Sequence, residues 1–223
     1  MNHKKKGLYE AFIKRLLDIL ISLVVMVLFC WLYGIIALLV RLKLGSPVIF
    51  SQDRPGRIDP KTGKERIFKL YKFRSMTDAR DENGDLLPGN VRLTPFGAKL
   101  RSTSLDELPE IVNIFKGDMS LIGPRPLATV YLPYYTEEER QRHIVRPGLT
   151  GLAQASGRNG LSWEEKFAYD VQYANNISFL EDVKIIFKTI KAVITHEGIG
   201  DGGNPEDSFH IYRQRQLDRK KEK

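Results

Sequence analysis

Cysteine is all but absent: Cys30 is the only one. It cannot close an internal disulfide and it lies in an apolar run, so nothing calls for an oxidising compartment. Charge is nearly absent from Leu16 to Val40, LLDILISLVVMVLFCWLYGIIALLV, where Asp18 is the only charged residue. At about 1.5 Å per helical residue this run can cross a hydrocarbon core of about 30 Å. It lacks the small-x-small cleavage site of a secretory signal and is longer than a signal's apolar region, so it is expected to be retained. Bulky Phe29 argues against lipoprotein processing at Cys30. There is no internal repeat, which sets solenoids and propellers aside.

A chain of 223 residues has room for one compact core with an appendage rather than two independent cores. Lys and Arg number 35 against 27 Asp and Glu, a formal net charge of +8. That balance suits nucleic acid, anionic lipid or phosphorylated small molecules, and charge alone does not choose among them. Lys14 and Arg15 precede the apolar run and Arg41 and Lys43 follow it. Because basic flanks stay cytoplasmic, this favours a re-entrant pair of helices with both ends on one side. A straight spanning helix fits the length equally well, and Gly34 is the only weak point in the middle.

After the anchor, Val48–Gln52 and Arg66–Lys72 are β-prone runs around a Pro- and Gly-bearing segment and are expected to form a hairpin. The stretch TDARDENGDLLPGN reads as a surface loop, and its Asp78, Asp81, Glu82 and Asp85 match no calcium-loop spacing. Leu108, Ile111, Val112 and Phe115 recur on one face of a helix expected from about Leu105 to Phe115, with Pro109 near its start and Gly117 as its stop. Tyr131, Tyr134 and Tyr135 beside a charged stretch suit either an interface-lying element or a partly buried aromatic cluster. Two further helices, Ser162–Tyr173 and about Phe179–Thr195, carry apolar residues at helical spacing that read as core packing. The polar segment from Glu197 onward is expected to be disordered.

Chemistry concentrates in RSTSLDELPEI, which sets Arg101 shortly before adjacent carboxylates, Asp106 and Glu107, at the mouth of a helix. One reading needs no function: Ser104 with Glu107 forms a capping box, and Asp106 complements the helix dipole. The other reading notes that a helix start with arginines upstream and in the glycine-rich loops KGDMSLIGPRP and VRPGLTGLAQASGRN can gather the oxygens of a diphosphate. A carboxylate there repels phosphate unless arginines or a divalent cation offset it, and Mg²⁺ is the natural partner of carboxylate and phosphate oxygens.

The run from Val48 to Ile186, with YKFRSM, RSTSLDELPEIVNIFKGDMSLIGPRP, VRPGLTGLAQASGRN and SWEEKFAYDVQYANNISFLEDVKI, closely resembles the bacterial sugar transferases known as small monotopic phosphoglycosyl transferases, most nearly the PglC-like type. The resemblance implies an α+β, mostly helical fold. Its parts are an N-terminal membrane-inserted, re-entrant helix (1–44), a catalytic domain (45–197) with a short β-hairpin and interface-lying helices, and a flexible tail (198–223). It also implies a two-step reaction. Asp106 attacks the β-phosphate of a UDP-sugar, UMP leaves, and polyprenol (undecaprenyl) phosphate takes the phosphosugar from the aspartyl intermediate. Covalent catalysis suits substrates from two phases, because the soluble leaving group departs before the lipid enters.

By position in the family's motifs, Glu107 is the second member of the dyad, Arg101 a phosphate-binding arginine and Lys72 a required lysine. Arg125, Arg146 and Arg158 match basic positions around the nucleotide-sugar, Asp182 matches a further acidic position, and Mg²⁺ would sit at Asp106. The family places such enzymes on the cytoplasmic face of the bacterial inner membrane, with membrane lipids as partners and no nucleic acid. One departure is local: the family's helix-breaking Ser-Pro pair is replaced by Cys30-Trp31. Three rival readings make distinct predictions. A membrane-anchored nucleic-acid-binding module predicts salt-sensitive binding, a nonenzymatic scaffold predicts no effect of Asp106→Asn, and a metal-dependent glycosyltransferase predicts release of UDP rather than UMP. The sugar, the glycan pathway and the oligomeric state are not encoded in these motifs.

Overall fold

The computed structural model describes residues 7–157, 160–195 and 208–221. The chain divides into two compact units: a smaller one of Ile19–Gln52 and Lys69–Lys116, and a larger one of Met1–Asp18, Asp53–Phe68 and Gly117–Lys223. Residues 45–197, expected as one domain, are shared between them.

The apolar run forms two helices, α1 (Lys14–Leu28) and α2 (Cys30–Leu44). No described helix is long and apolar enough alone to cross a membrane; Tyr9–Leu28 and Cys30–Leu44 meet that test only together, bent by 64°. The bend falls at Phe29, whose backbone (φ −106°, ψ 11°) leaves the helical region, and not at Gly34, which lies within α2. Packing explains the difference. In the smaller unit, Ile36 and Val40 of α2 are buried against Phe73 and Leu100, with Leu32, Tyr33 and Leu108 around them, so α2 is held straight through Gly34. The opposite faces of both helices expose Val24, Val27, Leu28, Trp31, Leu38 and Leu42.

Strands β1 (Ile49–Ile58) and β2 (Glu65–Phe73) form the expected hairpin, longer than the sequence suggests. Pro55 and Gly56 lie inside β1, which a two-stranded ribbon tolerates because its outer edge needs no amide partner. Past a short turn of helix, α3 (Gly89–Arg92), comes α4 (Pro95–Ser102). Thr94 caps α4 by accepting from the Gly97 amide at 3.1 Å, with Pro95 in its first turn. Gly97 is required there: a Cβ would stand 1.8 Å from the Ser75 carbonyl oxygen. Next comes α5 (Glu110–Lys116).

In the larger unit, β3 (Ser120–Ile122) pairs in parallel with β4 (Gly148–Thr150), Ser120 opposite Gly148 and Ile122 opposite Thr150. Backbones meet closely here, and a Cβ on Gly148 would lie 2.0 Å from the Gly123 amide. The short helix α6 (Glu137–Arg140) precedes β4, and α7 (Leu152–Ser156), α8 (Trp163–Asn175) and α9 (Phe179–Ile194) follow it. Ile122, Leu152, Tyr173 and Ile185 form their core. Ser162 and Glu165 start α8 with a reciprocal capping box.

Two expectations are corrected and one open alternative is decided. Helix α9 is not mainly core: Ile185 is buried, but Phe179, Leu180, Ile186, Phe187 and Ile190 are exposed, Phe187 to 69 %. Tyr131 and Tyr135 form an aromatic cluster with Trp163, Phe167 and Phe209, so of the two readings offered for them the cluster is the one seen. The expected tail is in part the helix α10 (Phe209–Lys221), held by fully buried Phe209; burying one such ring contributes roughly 2–3 kcal/mol. Residues 196–207 of that segment lie outside the described residues.

Candidate active site

The segment expected as one helix from Leu105 is a 3₁₀ turn, Leu105–Glu107, followed by α5 from Glu110. Pro109 is the reason: it has no N–H for the Leu105 carbonyl, and the Leu108 amide serves that carbonyl in 3₁₀ fashion at 3.4 Å. Ser104, at φ 55° and ψ 17°, is the only non-glycine with positive φ among the described residues. A left-handed residue with a side chain costs about 1 kcal/mol or more, and such strain gathers where function over-determines the backbone. Its side chain makes no capping bond, so the capping-box reading of Ser104 and Glu107 is wrong.

Glu107 is engaged elsewhere. Lys72, from β2, places its ammonium 2.7 Å from Glu107 Oε1 and 3.2 Å from Glu110 Oε1. Buried Asn113 of α5 fixes this meeting: its amide donates to the Lys69 carbonyl at 2.7 Å, and its oxygen accepts from the Tyr71 amide at 3.1 Å. Asn113 stands in for a neighbouring strand and sets the register of Lys72 against Glu110. Asp106, beside Glu107, is buried. Arg101, from α4, donates through Nε to Ser75 Oγ at 2.8 Å, three residues beyond Lys72. Tyr33 of α2 donates to the Leu108 carbonyl at 2.5 Å, tying the turn to the apolar helix pair.

Of the residues singled out from sequence, Lys72, Arg101, Asp106 and Glu107 thus share the smaller unit. Arg125, Arg146 and Asp182 belong to the larger one, and Arg158 lies outside the described residues. Asp182 is a hub: its Oδ2 accepts from Tyr9 at 2.6 Å and from Lys14 at 2.5 Å, and its Oδ1 accepts from Tyr173 at 2.7 Å. Burial first, then Asp182, pushes the Tyr9 and Tyr173 phenols well above the usual tyrosine range, so both remain donors at neutral pH. The Arg125 carbonyl accepts from Arg142 Nη2 at 2.7 Å, and Arg142 is paired in the interior with Asp170 at 2.6 Å. Burial holds Arg146 below the usual arginine range.

Sequence reasoning missed Glu110, Asn113, Ser75, Lys14 and Tyr173. Asn113 shares its helix face with Glu110 and Lys116, so nothing local in the sequence marked it for burial. For Mg²⁺, no group of three or more His, Cys, Asp or Glu is placed to hold a metal among the described residues. Glu107 and Glu110 face Lys72, so few protein carboxylates would reach a cation here, which fits a hard ion held mostly by substrate phosphates, the usual mode for Mg²⁺.

The fold and these charges define an α+β protein that sets ammonium and guanidinium groups among buried carboxylates, a chemistry suited to phosphorylated ligands. Residues 9–196 match the bacterial sugar transferase family, and the chain belongs to it. It is 56 % identical over 160 residues to the uncharacterized sugar transferase EpsL of Bacillus subtilis, covering 72 % of this chain and 76 % of that protein. It is 38 % identical over 196 residues to the UDP-N-acetylgalactosamine-undecaprenyl-phosphate N-acetylgalactosaminephosphotransferase of Aeromonas hydrophila, covering 84 % of this chain but only 45 % of that protein. Over 193 residues it is 35 % identical to the UDP-glucose:undecaprenyl-phosphate glucose-1-phosphate transferase of Caulobacter vibrioides, covering 82 % of this chain and 70 % of that protein.

Proposed function

We propose that this protein transfers a sugar phosphate from a UDP-sugar to polyprenol phosphate, with Asp106 as nucleophile. An Asp106 carboxylate oxygen attacks the β-phosphorus, the bond to the bridging oxygen breaks, and UMP leaves with that oxygen. A phosphate oxygen of the polyprenol phosphate then attacks the same phosphorus, forms polyprenyl diphosphate sugar and frees the carboxylate. The observation that carries this reading is buried Asp106 on the strained turn at Ser104, beside a Glu107 neutralised by Lys72. Burial and strain hold a carboxylate in one orientation, and phosphoryl transfer depends on such positioning and on charge neutralisation.

Lys72 keeps Glu107 and Glu110 from adding to the repulsion between Asp106 and the donor diphosphate, and Arg101, anchored on Ser75, supplies further positive charge. A magnesium ion bound through Asp106 and the donor phosphates would supply charge neutralisation. The apolar faces of α1, α2 and α9 suit insertion from the cytoplasmic face of the inner membrane, with the bent pair re-entering on the same side and α9 lying at the interface. The relatives' names carry different sugars at similar identity, so family membership does not set the donor.

The test incubates the purified full chain in lipid nanodiscs with Mg²⁺, polyprenol phosphate and a panel of UDP-sugars, and identifies the nucleotide released. UMP, together with a lipid diphosphate sugar, is the expected product. UDP would mean that the sugar moves without its phosphate and would refute the reading.

A further inference from the structure

Helix α9 divides lengthwise into three strips. Asp182, Ile185 and Ala192 are buried, and Thr189 beside them shares a 2.8 Å hydroxyl bond with Thr150 of β4, so this strip faces the core of the larger unit. The next strip carries Phe179, Leu180, Ile186, Phe187 and Ile190, all exposed. Along its far edge come Lys184, Lys188 and Lys191, which a period of 3.6 residues per turn sets in one row.

The chain gives these lysines little to bind. Lys184 stands 3.7 Å from Glu181 with 69 % of its side chain exposed, a pair of small worth. Lys188 and Lys191 are exposed and make no ion pair among the described residues. The apolar strip calls for hydrocarbon and the row beside it calls for anions. A surface of anionic phospholipid supplies both at once, with acyl chains below the strip and phosphates level with the row, while lysine stems lie along apolar surface and carry their ammonium groups out to it. Nucleic acid offers the anions without the hydrocarbon, and a zwitterionic bilayer offers the hydrocarbon without net charge.

The first turn of α9 is also fastened to the entry of the apolar run. Tyr9 and Lys14 both donate to Asp182, at 2.6 and 2.5 Å, and the Tyr9 ring meets Phe179 edge-on at 5.8 Å. Phe12 and Leu16 of that entry are exposed as well, so the apolar strip starts beside the segment for which insertion is proposed above.

We propose that α9 docks on anionic phospholipid, its apolar strip among the acyl chains and Lys184, Lys188 and Lys191 on the headgroup phosphates. The inference rests on the membrane reading of α9 and adds the headgroup chemistry that the helix selects.

The experiment attaches bimane through Phe187→Cys in a Cys30→Ser background, both exposed positions, with the full chain in phosphatidylcholine nanodiscs. Spin-labelled phosphatidylglycerol or spin-labelled phosphatidylcholine, matched in acyl chain and mole fraction, serves as quencher. The anionic lipid is expected to quench as though enriched about threefold or more around the label. Raised salt, or Lys184→Gln, Lys188→Gln and Lys191→Gln combined, should bring the two lipids level, and the three matching Arg substitutions should keep the preference. Equal quenching by both lipids in the parent, or a preference that survives the Gln substitutions, overturns the anionic assignment and leaves α9 at the membrane. A label reached by neither lipid overturns the membrane reading too: quenching by soluble iodide would then place the face in water, and shielding from iodide would place it against protein, a second copy included. Nothing in this readout depends on turnover, so it stands apart from the UMP assay.

Discussion

Replacing Lys72 by Met removes one ammonium from between two carboxylates while keeping an apolar stem of similar length. Glu110 is 3 % exposed and sits 3.2 Å from that ammonium, while Glu107 and Lys72 keep 17 % and 20 % of their side-chain surface. Breaking a buried pair by deleting one partner costs about 3–5 kcal/mol, because the remaining charge is left in a poorly solvating site. The residual exposure of Lys72 places the expected loss at the lower end, about 3 kcal/mol. For a chain of this size that lowers the unfolding midpoint by roughly 6–12 °C. Glu110→Gln removes the buried charge, so it should restore part of the loss in the Lys72→Met background. The double-mutant cycle followed by tryptophan fluorescence should then give a coupling of about 1–3 kcal/mol. Lys72→Met unfolding within about 0.5 kcal/mol of wild type, or strictly additive losses, would refute the neutralisation argument. UMP release should fall in the Lys72 variant at temperatures where it remains folded.

Two further outcomes test the larger unit. Burial, then the charge of Arg142, holds the His143 imidazole well below its ordinary value of 6.5. The unfolded chain takes up that proton in mild acid and the folded chain does not. Stability present above about pH 6.5 is therefore lost as pH falls, by up to about 1.4 kcal/mol per unit, and His143→Gln should flatten this part of the pH dependence of the unfolding midpoint; equal slopes would contradict it. Phe209→Ala empties the centre of the aromatic cluster at a cost of about 3–5 kcal/mol, so limited trypsin digestion should cut α10 at Arg213 or Arg215 far faster than in wild type.

Local chemistry was legible in the sequence where it depends on near neighbours. The hairpin follows from two β-prone runs around turn residues, and α8 begins at Ser162 because Ser162 and Glu165 lie three apart. The same spacing at Ser104 and Glu107 misleads, because a contact 35 residues away in sequence, Lys72 to Glu107, outcompetes the local cap. Helix α9 shows a different limit: apolar residues at helical spacing specify a face that avoids water, not whether protein or lipid covers it. The tail was misread because its polar composition outweighs one aromatic, Phe209, whose burial depends on partners far back in the chain. Asp106 was found from its motif; its burial and the strain beside it became visible only in three dimensions.

The central claim is that Asp106 becomes covalently joined to the donor's β-phosphorus. Intact-mass spectrometry of the protein incubated with Mg²⁺ and a UDP-sugar shown to support turnover, with no lipid acceptor present, tests it most directly. Wild type should gain the mass of one phosphosugar, lose it when polyprenol phosphate is added, and show no gain in Asp106→Asn. Steady UMP release without any adduct, or an adduct that persists in Asp106→Asn, would contradict the account.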